Sequence, residues 1–174
     1  EKDVKLWAEL ETPSGFGHEL FPDDLDRIEE NVLRAISRVP VLGGAGIKRV
    51  INGPMIWSPD SNALFGPVPE LDGYYLCNGI IPGFSQSGGL GELLAEWIIT
   101  GEPHLEIFSW DLARFGTWAD KKFTKSRVKD QYSNRFAIHF PNEERSAGRP
   151  VRTRPAYSTQ KELGAVFGLN YGWE

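Results

Sequence analysis

The segment from Gly79 to Gly89, "GIIPGFSQSGG", has the residue types best suited to holding a ligand. It joins a short apolar run, "YYLC", to an apolar pattern with helical spacing. At the N-terminus of a helix, free backbone N–H groups and the helix dipole favour a negative group. Small Gly and Ser side chains would let such a ligand approach the backbone closely. The pattern predicts an anion or cofactor loop, or else a plain strand–helix turn whose glycines allow tight packing.

Two common phosphate-binding motifs do not fit this segment. A Walker loop would need a Lys and a Ser or Thr after the glycines, and neither follows here. A dinucleotide fingerprint would need G-x-G-x-x-G with an acidic residue about 20 positions later, and this pattern is also missing. The segment is therefore not identified as a phosphate loop by its motif.

Other residues with catalytic potential are scattered. His18, His104 and His139 do not have metal-ligand spacing, and no carboxylate cluster accompanies them. Cys77 lies inside an apolar run, which favours an inert core thiol over a nucleophile. No Ser/His/Asp order with an elbow motif is present. The sequence thus indicates no catalytic residue and no metal site.

The composition excludes several classes of protein. The chain has 174 residues, of which 40% are hydrophobic and 12% aromatic, enough for a packed core. A net charge of -5 argues against a dedicated nucleic-acid-binding protein. No apolar run is long enough to span a membrane, so we expect no membrane-spanning segment. The chain starts without Met in the strand-like "VKLWAELE" and stops at "NYGWE", so we expect a fragment of a larger protein.

The periodicity predicts the elements that position these residues. A helix is predicted in "PDDLDRIEENVLRAISRVPVL", with Pro22 in its first turn, followed by a long strand "IKRVINGPMIW" kinked at Gly53. "GYYLCNG" predicts a strand buried on both faces, as in a parallel sheet, and "GGLGELLAEWIITGEP" predicts a helix capped by Gly101. Further helices are predicted in "ADKKFTKSRVKDQYSNRF" and from Ser158, with a domain boundary near residues 111–116. The basic residues of the first could contact an acidic partner, but a solvated face is the simpler interpretation.

Several phrases together resemble the flavin-dependent dimethylglycine and sarcosine dehydrogenase family. They are "GHELFPDDLDRIEENVLRAISRVPVL", "GIKRVINGPMIWSPDSNALFGPVPEL", "GELLAEWIITGEP", "WDLARFG" and "GRPVRTRPAY" with "GAVFGLNYGWE". Their order and gaps match as well, over nearly the whole chain. The resemblance implies an α+β or α/β fold, namely a fragment of a D-amino-acid-oxidase-like flavin oxidoreductase. In that fragment, a mixed sheet and a C-terminal strand–loop–helix are followed by the start of a second α+β domain.

The resemblance also implies domains and site residues. Residues 1–112 would be the C-terminal part of the FAD-dependent domain, and residues 113–174 would begin the central domain that leads to a folate-binding, aminomethyltransferase-like region. FAD is the implied cofactor, with tetrahydrofolate as a second one in the full-length enzyme. Met55 and Trp57 are implied as walls of the substrate pocket, and core packing is an almost equally good explanation of both residues. The residues implied to line the flavin ring are Gly79, Ile80, Ile81, Pro82, Gly83, Phe84, Ser85, Gln86, Ser87, Gly88 and Gly89.

Three positions depart from relatives in ways that bear on the substrate. Ser85 stands where monomeric sarcosine oxidases have a lysine for the substrate carboxylate, and Gly53 stands where they tether flavin through a cysteine. Pro82 stands where dimethylglycine dehydrogenases tend to have an aromatic residue. The resemblance implies a small N-methylated amino acid as substrate, but these departures leave open whether it is dimethylglycine.

The resemblance leaves two other functions open. One is a non-catalytic regulator like the pyruvate dehydrogenase phosphatase regulatory subunit, and the other is a folate-binding aminomethyltransferase module. The flavin-nucleotide fingerprint would lie in a missing N-terminal region or a partner chain. No nucleic-acid or membrane partner is expected, and the implied location is the bacterial cytoplasm or the mitochondrial matrix.

Overall fold

The computed structural model describes Thr12 and residues 14–174, so the strand predicted in "VKLWAELE" lies outside the described residues. The chain divides into two compact units, Glu1–Met55 and Ile56–Glu174. Each unit has its own internal contacts and is described by itself.

The first unit is built around one amphipathic helix. A 3-10 turn, Asp26–Ile28, leads into α1, Glu29–Arg38, and a second 3-10 turn, Pro40–Gly44, follows it. Glu29 and Glu30 lie in the first turn of α1 and Arg38 in the last, which complements the helix dipole. The predicted helix is confirmed, but it begins later than Pro22.

The long strand predicted in "IKRVINGPMIW" is wrong. Within the described residues a single antiparallel bridge forms there, in which the Phe21 N–H donates to the Asn52 carbonyl at 2.8 Å. The Asn52 side chain then donates to the Pro22 carbonyl at 2.8 Å. Pro54 lies two positions after Asn52, and because proline has no N–H it cannot continue a ladder.

The second unit contains a small antiparallel sheet. Strand β1, Leu64–Pro67, pairs with β2, Tyr75–Asn78, and Phe65 lies opposite Cys77. The strand predicted in "GYYLCNG" is confirmed, but it is not buried on both faces and its neighbour is not parallel. Strand β1 was not predicted from the sequence, and it contains the turn-forming residues Gly66 and Pro67. Its other edge makes one parallel bridge, to Asp111, so the arrangement has a small mixed component.

A long helix covers this sheet. Helix α2, Gly83–Thr100, ends at Gly101, whose left-handed φ of 90° confirms the predicted C-cap. Its apolar face meets β1 in a core formed by Ala63, Phe65, Leu90 and Leu93. Gly66 (φ 101°) lies so close to the Trp97 indole that an added Cβ would be 2.5 Å from it. Glycine is therefore required where the helix packs on the strand.

The C-terminal part of the second unit is held by arginine and aromatic side chains. The unit includes a 3-10 turn, Leu112–Arg114, and two predicted helices that are both confirmed, α3 (Lys121–Ser133) and α4 (Tyr157–Glu162). The last residue, Glu174, is held against Arg149, whose Nε donates to Glu174 Oε1 at 2.6 Å. This hydrogen bond raises the pKa of Arg149 above its ordinary value.

These elements confirm a mixed helix-and-strand class, as expected for a piece of a flavin oxidoreductase. The boundary predicted between residues 112 and 113 falls inside the second compact unit and stays a prediction. Within the part of the chain that the structure describes, no helix is both long and apolar enough to cross a membrane.

Candidate functional site

The glycine-rich segment is mostly helical. Pro82 is the N-cap of α2, and the helix begins at Gly83, so residues 83–89 form its first two turns. The loop between β2 and α2 is therefore only residues 79–82, shorter than predicted. Glycine and serine are weak helix formers, but the buried Leu90 and Leu93 anchor the following turns against the sheet.

The start of α2 keeps its positive character. The N-cap Pro82 offers no side-chain hydrogen bond, and the first turn contains no acidic residue. The Ser85 and Ser87 hydroxyls donate back to the carbonyls of Pro82 and Phe84, at 3.3 and 3.4 Å. The first backbone N–H groups of the helix have no intrahelical acceptor. The N-terminus of α2 is thus suited to face a negatively charged group.

Glycines in this segment fall into two kinds. Gly79 is buried with a φ of 67°, a backbone conformation that itself favours glycine. At Gly83, Gly88, Gly89 and Gly91 an added Cβ would meet nothing within 4 Å. Tight packing among the described residues therefore explains none of these helical glycines. The interpretation in which a ligand approaches these glycines stays a prediction.

The rest of the predicted flavin segment is largely open to solvent. Phe84 is fully exposed, and Pro82 is exposed as well, whereas Ile80, Ile81 and Gln86 are partly buried. Ile80 packs against the core, which ties this segment to the sheet. The structure thus brings the predicted cofactor residues together on one rigid strand–turn–helix unit.

The two predicted pocket walls lie in different settings. Met55 ends the first unit and is about half exposed. Trp57 belongs to the second unit, where its ring meets Tyr132 edge-on at 5.6 Å and lies under the Arg135 guanidinium at 5.2 Å. The Trp57 Nε1 is buried without a hydrogen-bond partner in the described residues. These contacts give Trp57 a packing role, and its role in a substrate pocket stays a prediction.

The other potentially reactive side chains, Cys77 and the Glu96–His104 pair, make structural contacts. Burial raises the pKa of the Cys77 thiol, which disfavours the reactive thiolate. Glu96 accepts from the His104 backbone N–H at 3.0 Å and contacts its Nδ1 at 2.6 Å, and these hydrogen bonds lower the Glu96 pKa. Among the described residues no three His, Cys, Asp or Glu side chains are grouped as metal ligands.

A buried ion pair was not predicted from the sequence. Arg114 has a side chain that is 4% exposed, and its Nε and Nη2 donate to Asp60 Oδ2 and Oδ1 at 2.7 and 2.9 Å. Its other donors reach the carbonyls of Trp110, Asp111 and Asn62. Every N–H of this guanidinium is therefore paired. The partners Asp60 and Arg114 lie 54 positions apart, so no local pattern could reveal them.

This chain is similar to a known protein family over part of its length and to several known proteins. Residues 100–153 match the family described as FAD dependent oxidoreductase central domain. Human mitochondrial dimethylglycine dehydrogenase is 36% identical over 168 residues, which are 97% of this chain and 19% of the human protein. Mouse mitochondrial sarcosine dehydrogenase is 35% identical over 177 residues, covering 100% of this chain and 19% of that protein.

A bacterial relative has a related printed activity. The 4-methylaminobutanoate oxidase (formaldehyde-forming) of Paenarthrobacter nicotinovorans is 36% identical over 138 residues, 78% of this chain and 17% of that protein. The chain thus spans about a fifth of the length of these curated relatives. It is similar, over nearly its whole length, to segments of dimethylglycine and sarcosine dehydrogenases.

Proposed function

We propose that this chain is part of an FAD-dependent oxidoreductase that oxidises a C–N bond of an N-methylated amino acid. The observation that carries the proposal is the 35–36% identity, over 97–100% of the chain, to dehydrogenases named for dimethylglycine and sarcosine. Both compounds, and 4-methylaminobutanoate, share a methylated amine and a carboxylate. The N-methyl amino acid is therefore the shared chemistry from which the substrate class is inferred.

In this reaction the substrate loses a hydride from the carbon next to nitrogen. A C=N bond remains, and water hydrolyses it to the demethylated amine and an aldehyde. FAD, when bound, supplies the hydride acceptor, and its ring gains negative charge as it is reduced. In the full-length enzyme, tetrahydrofolate could capture the one-carbon unit in place of water. The electrons that leave the substrate are thus accounted for by the flavin.

The role of this chain is to hold the flavin ring. We assign that role to residues 79–89, in which the N–H groups at the start of α2 would face the end of the ring that becomes negative. The absence of an acidic residue in the first turn and the open space at Gly88 and Gly89 fit this assignment. No described side chain is assigned a proton-transfer step. The chain orients and stabilises the cofactor, while the nucleotide-binding part would lie in another region or a partner chain.

The surrounding assignments follow from the same proposal. Residues 1–112 would complete the flavin domain and residues 113–174 would begin the central domain. Met55 and Trp57 would line the substrate pocket. Since the dehydrogenase relatives are mitochondrial by name, the mitochondrial matrix or, in a bacterium, the cytoplasm is the proposed location.

Turnover of the full-length protein tests the proposal. The protein is incubated with sarcosine, or another N-methylated amino acid, and an artificial electron acceptor, and reduction of the acceptor is measured. Glycine, which lacks the methyl group, is the matched control substrate. We expect electron transfer with sarcosine or another N-methylated amino acid and none with glycine. A flavin-free protein with no turnover would instead support a regulatory, non-catalytic function.

A further inference from the structure

A second candidate ligand site lies in the second unit, at residues other than those of the glycine-rich segment. It is a cavity of about 260 Å³, just below the roughly 300–1,000 Å³ of typical ligand pockets, so it suits only a small molecule. The cavity opens between the turn that precedes β1, the start of α3 and the C-terminal segment. We call it the α3 cavity and define it by Asp60, Ser109, Phe115, Trp118, Arg127 and Tyr171.

The walls of the α3 cavity are fixed by aromatic packing. The Trp118 ring meets Phe123 edge-on at 5.1 Å and lies 5.9 Å from Phe115. Gly172 (φ 78°) lies against the indole, and an added Cβ there would be 2.7 Å from the ring. The backbone of the C-terminal segment therefore packs directly on Trp118. A planar, apolar body is the shape that such a wall accommodates.

Among the charged side chains that line the cavity, Arg127 has no counter-charge in the described part of the chain. Asp60 is neutralised by the bidentate Arg114, which itself has no free N–H. Arg127 lines the cavity, and it forms no hydrogen bond or ion pair with the described part of the chain. Its Cγ lies 3.1 Å from the position of an added Cβ at Gly148, so its aliphatic stem is held against the backbone. The stem is thus held in place, and the guanidinium has no partner among the described residues.

The other polar lining groups also have no side-chain partner. The Ser109 hydroxyl and the Asn170 amide line the cavity without a side-chain hydrogen bond in the described residues. After internal pairing, the cavity presents a guanidinium, a hydroxyl and an amide, but no unpaired carboxylate. These groups recognise an anionic hydrogen-bond acceptor.

We propose that the α3 cavity binds a small organic carboxylate, with its apolar part against Trp118 and its carboxylate on Arg127. A guanidinium suits this role because its planar fork matches the two oxygens of a carboxylate. The site uses none of the residues assigned to the flavin. It would be a second ligand site, independent of the proposed oxidation.

Benzoate is a suitable probe because it joins one aromatic ring to one carboxylate, and benzamide is its neutral counterpart. The full 174-residue chain is titrated with each compound while the indole N–H signal of Trp118 is followed by NMR. The Trp118→Phe variant assigns that signal among the six tryptophans of the chain. We expect benzoate to shift the Trp118 signal and benzamide to bind about tenfold more weakly.

Substitutions at Arg127 give the decisive comparison. Arg127→Gln should weaken benzoate binding about tenfold or more, and Arg127→Lys should restore part of the affinity because it keeps the charge. Lys129→Gln removes an exposed cation from the same helix and should leave the affinity unchanged. Equal affinity of wild type and Arg127→Gln, or a Trp118 signal that does not move, would overturn the proposal. So would a structure of the full-length protein in which a protein side chain fills the cavity.

Discussion

Replacing Gly88 and Gly89 with alanine should stabilise the chain and at the same time weaken flavin binding. Both glycines lie inside α2, and an added Cβ at either position meets nothing within 4 Å. Glycine in a helix interior costs about 0.8–1.0 kcal/mol relative to alanine. The double variant Gly88→Ala/Gly89→Ala should therefore unfold at higher urea, with a gain of about 1.5–2 kcal/mol in the free energy of unfolding.

The opposite effect is expected on the cofactor. If the flavin ring approaches these glycines, two added methyl groups enter space that the ring occupies, and overpacking of this kind costs about 1–3 kcal/mol. The flavin affinity of the full-length protein should then fall by about tenfold or more. Flavin content after dialysis and a titration of the apoprotein with FAD measure this loss.

Gly91→Ala is the matched control. It lies in the same helix, with the same open space, but outside the segment assigned to the flavin. It should give the gain in stability without the loss of flavin. If the double variant binds FAD as well as Gly91→Ala does, the assignment of the glycine segment to the flavin ring is refuted.

Two further substitutions test the packing and the electrostatics of the second unit. Asp60→Asn leaves the buried Arg114 guanidinium without its counter-charge, and since the Asp60 side chain is 30% exposed, the loss in urea unfolding should be about 2–3 kcal/mol. Glu96→Gln removes a carboxylate whose pKa is lowered by hydrogen bonds from His104. The contribution of Glu96 to stability is present above its unfolded-state pKa and is lost as pH falls through its lower folded-state pKa. The variant should therefore lose less stability on acidification than the wild type does. An unchanged pH profile of stability would contradict this.

The helices were predictable because their signals are local. The apolar spacing of Leu90, Leu93 and Trp97 indicates α2, and Gly101 marks its end in both sequence and structure. The beginning of α2 was placed too late because glycine and serine are poor helix formers. Burial of the following leucines, which is a tertiary effect, outweighs that preference.

The strands were less predictable, for two physical reasons. A short apolar run such as that around Cys77 does not reveal whether its neighbour is parallel or antiparallel, and here it is antiparallel. Strand β1 contains Gly66 and Pro67, which usually mark turns. Gly66 is present because the Trp97 ring leaves no room for a side chain. That contact joins residues far apart in the chain and has no local signal.

The candidate site was only partly readable from sequence. The small residues from Gly79 to Gly89 pointed to a ligand, but the sequence alone left tight packing as an equal explanation. Among the described residues, the positive φ accounts for Gly79 and packing accounts for none of the helical glycines, so the assignment of this segment to a ligand stays a prediction. The α3 cavity was not predicted, because Arg127 and Trp118 meet the C-terminal segment only after folding.

The most direct test of the central claim is reduction of the flavin by an N-methylated amino acid. The full-length protein is purified, its visible flavin spectrum is recorded without oxygen, and sarcosine, dimethylglycine or 4-methylaminobutanoate is added. We predict that the protein carries FAD and that at least one of these compounds bleaches the oxidised flavin band, whereas glycine does not. A protein that binds no flavin, or whose flavin none of the three compounds reduces, would contradict the proposed function.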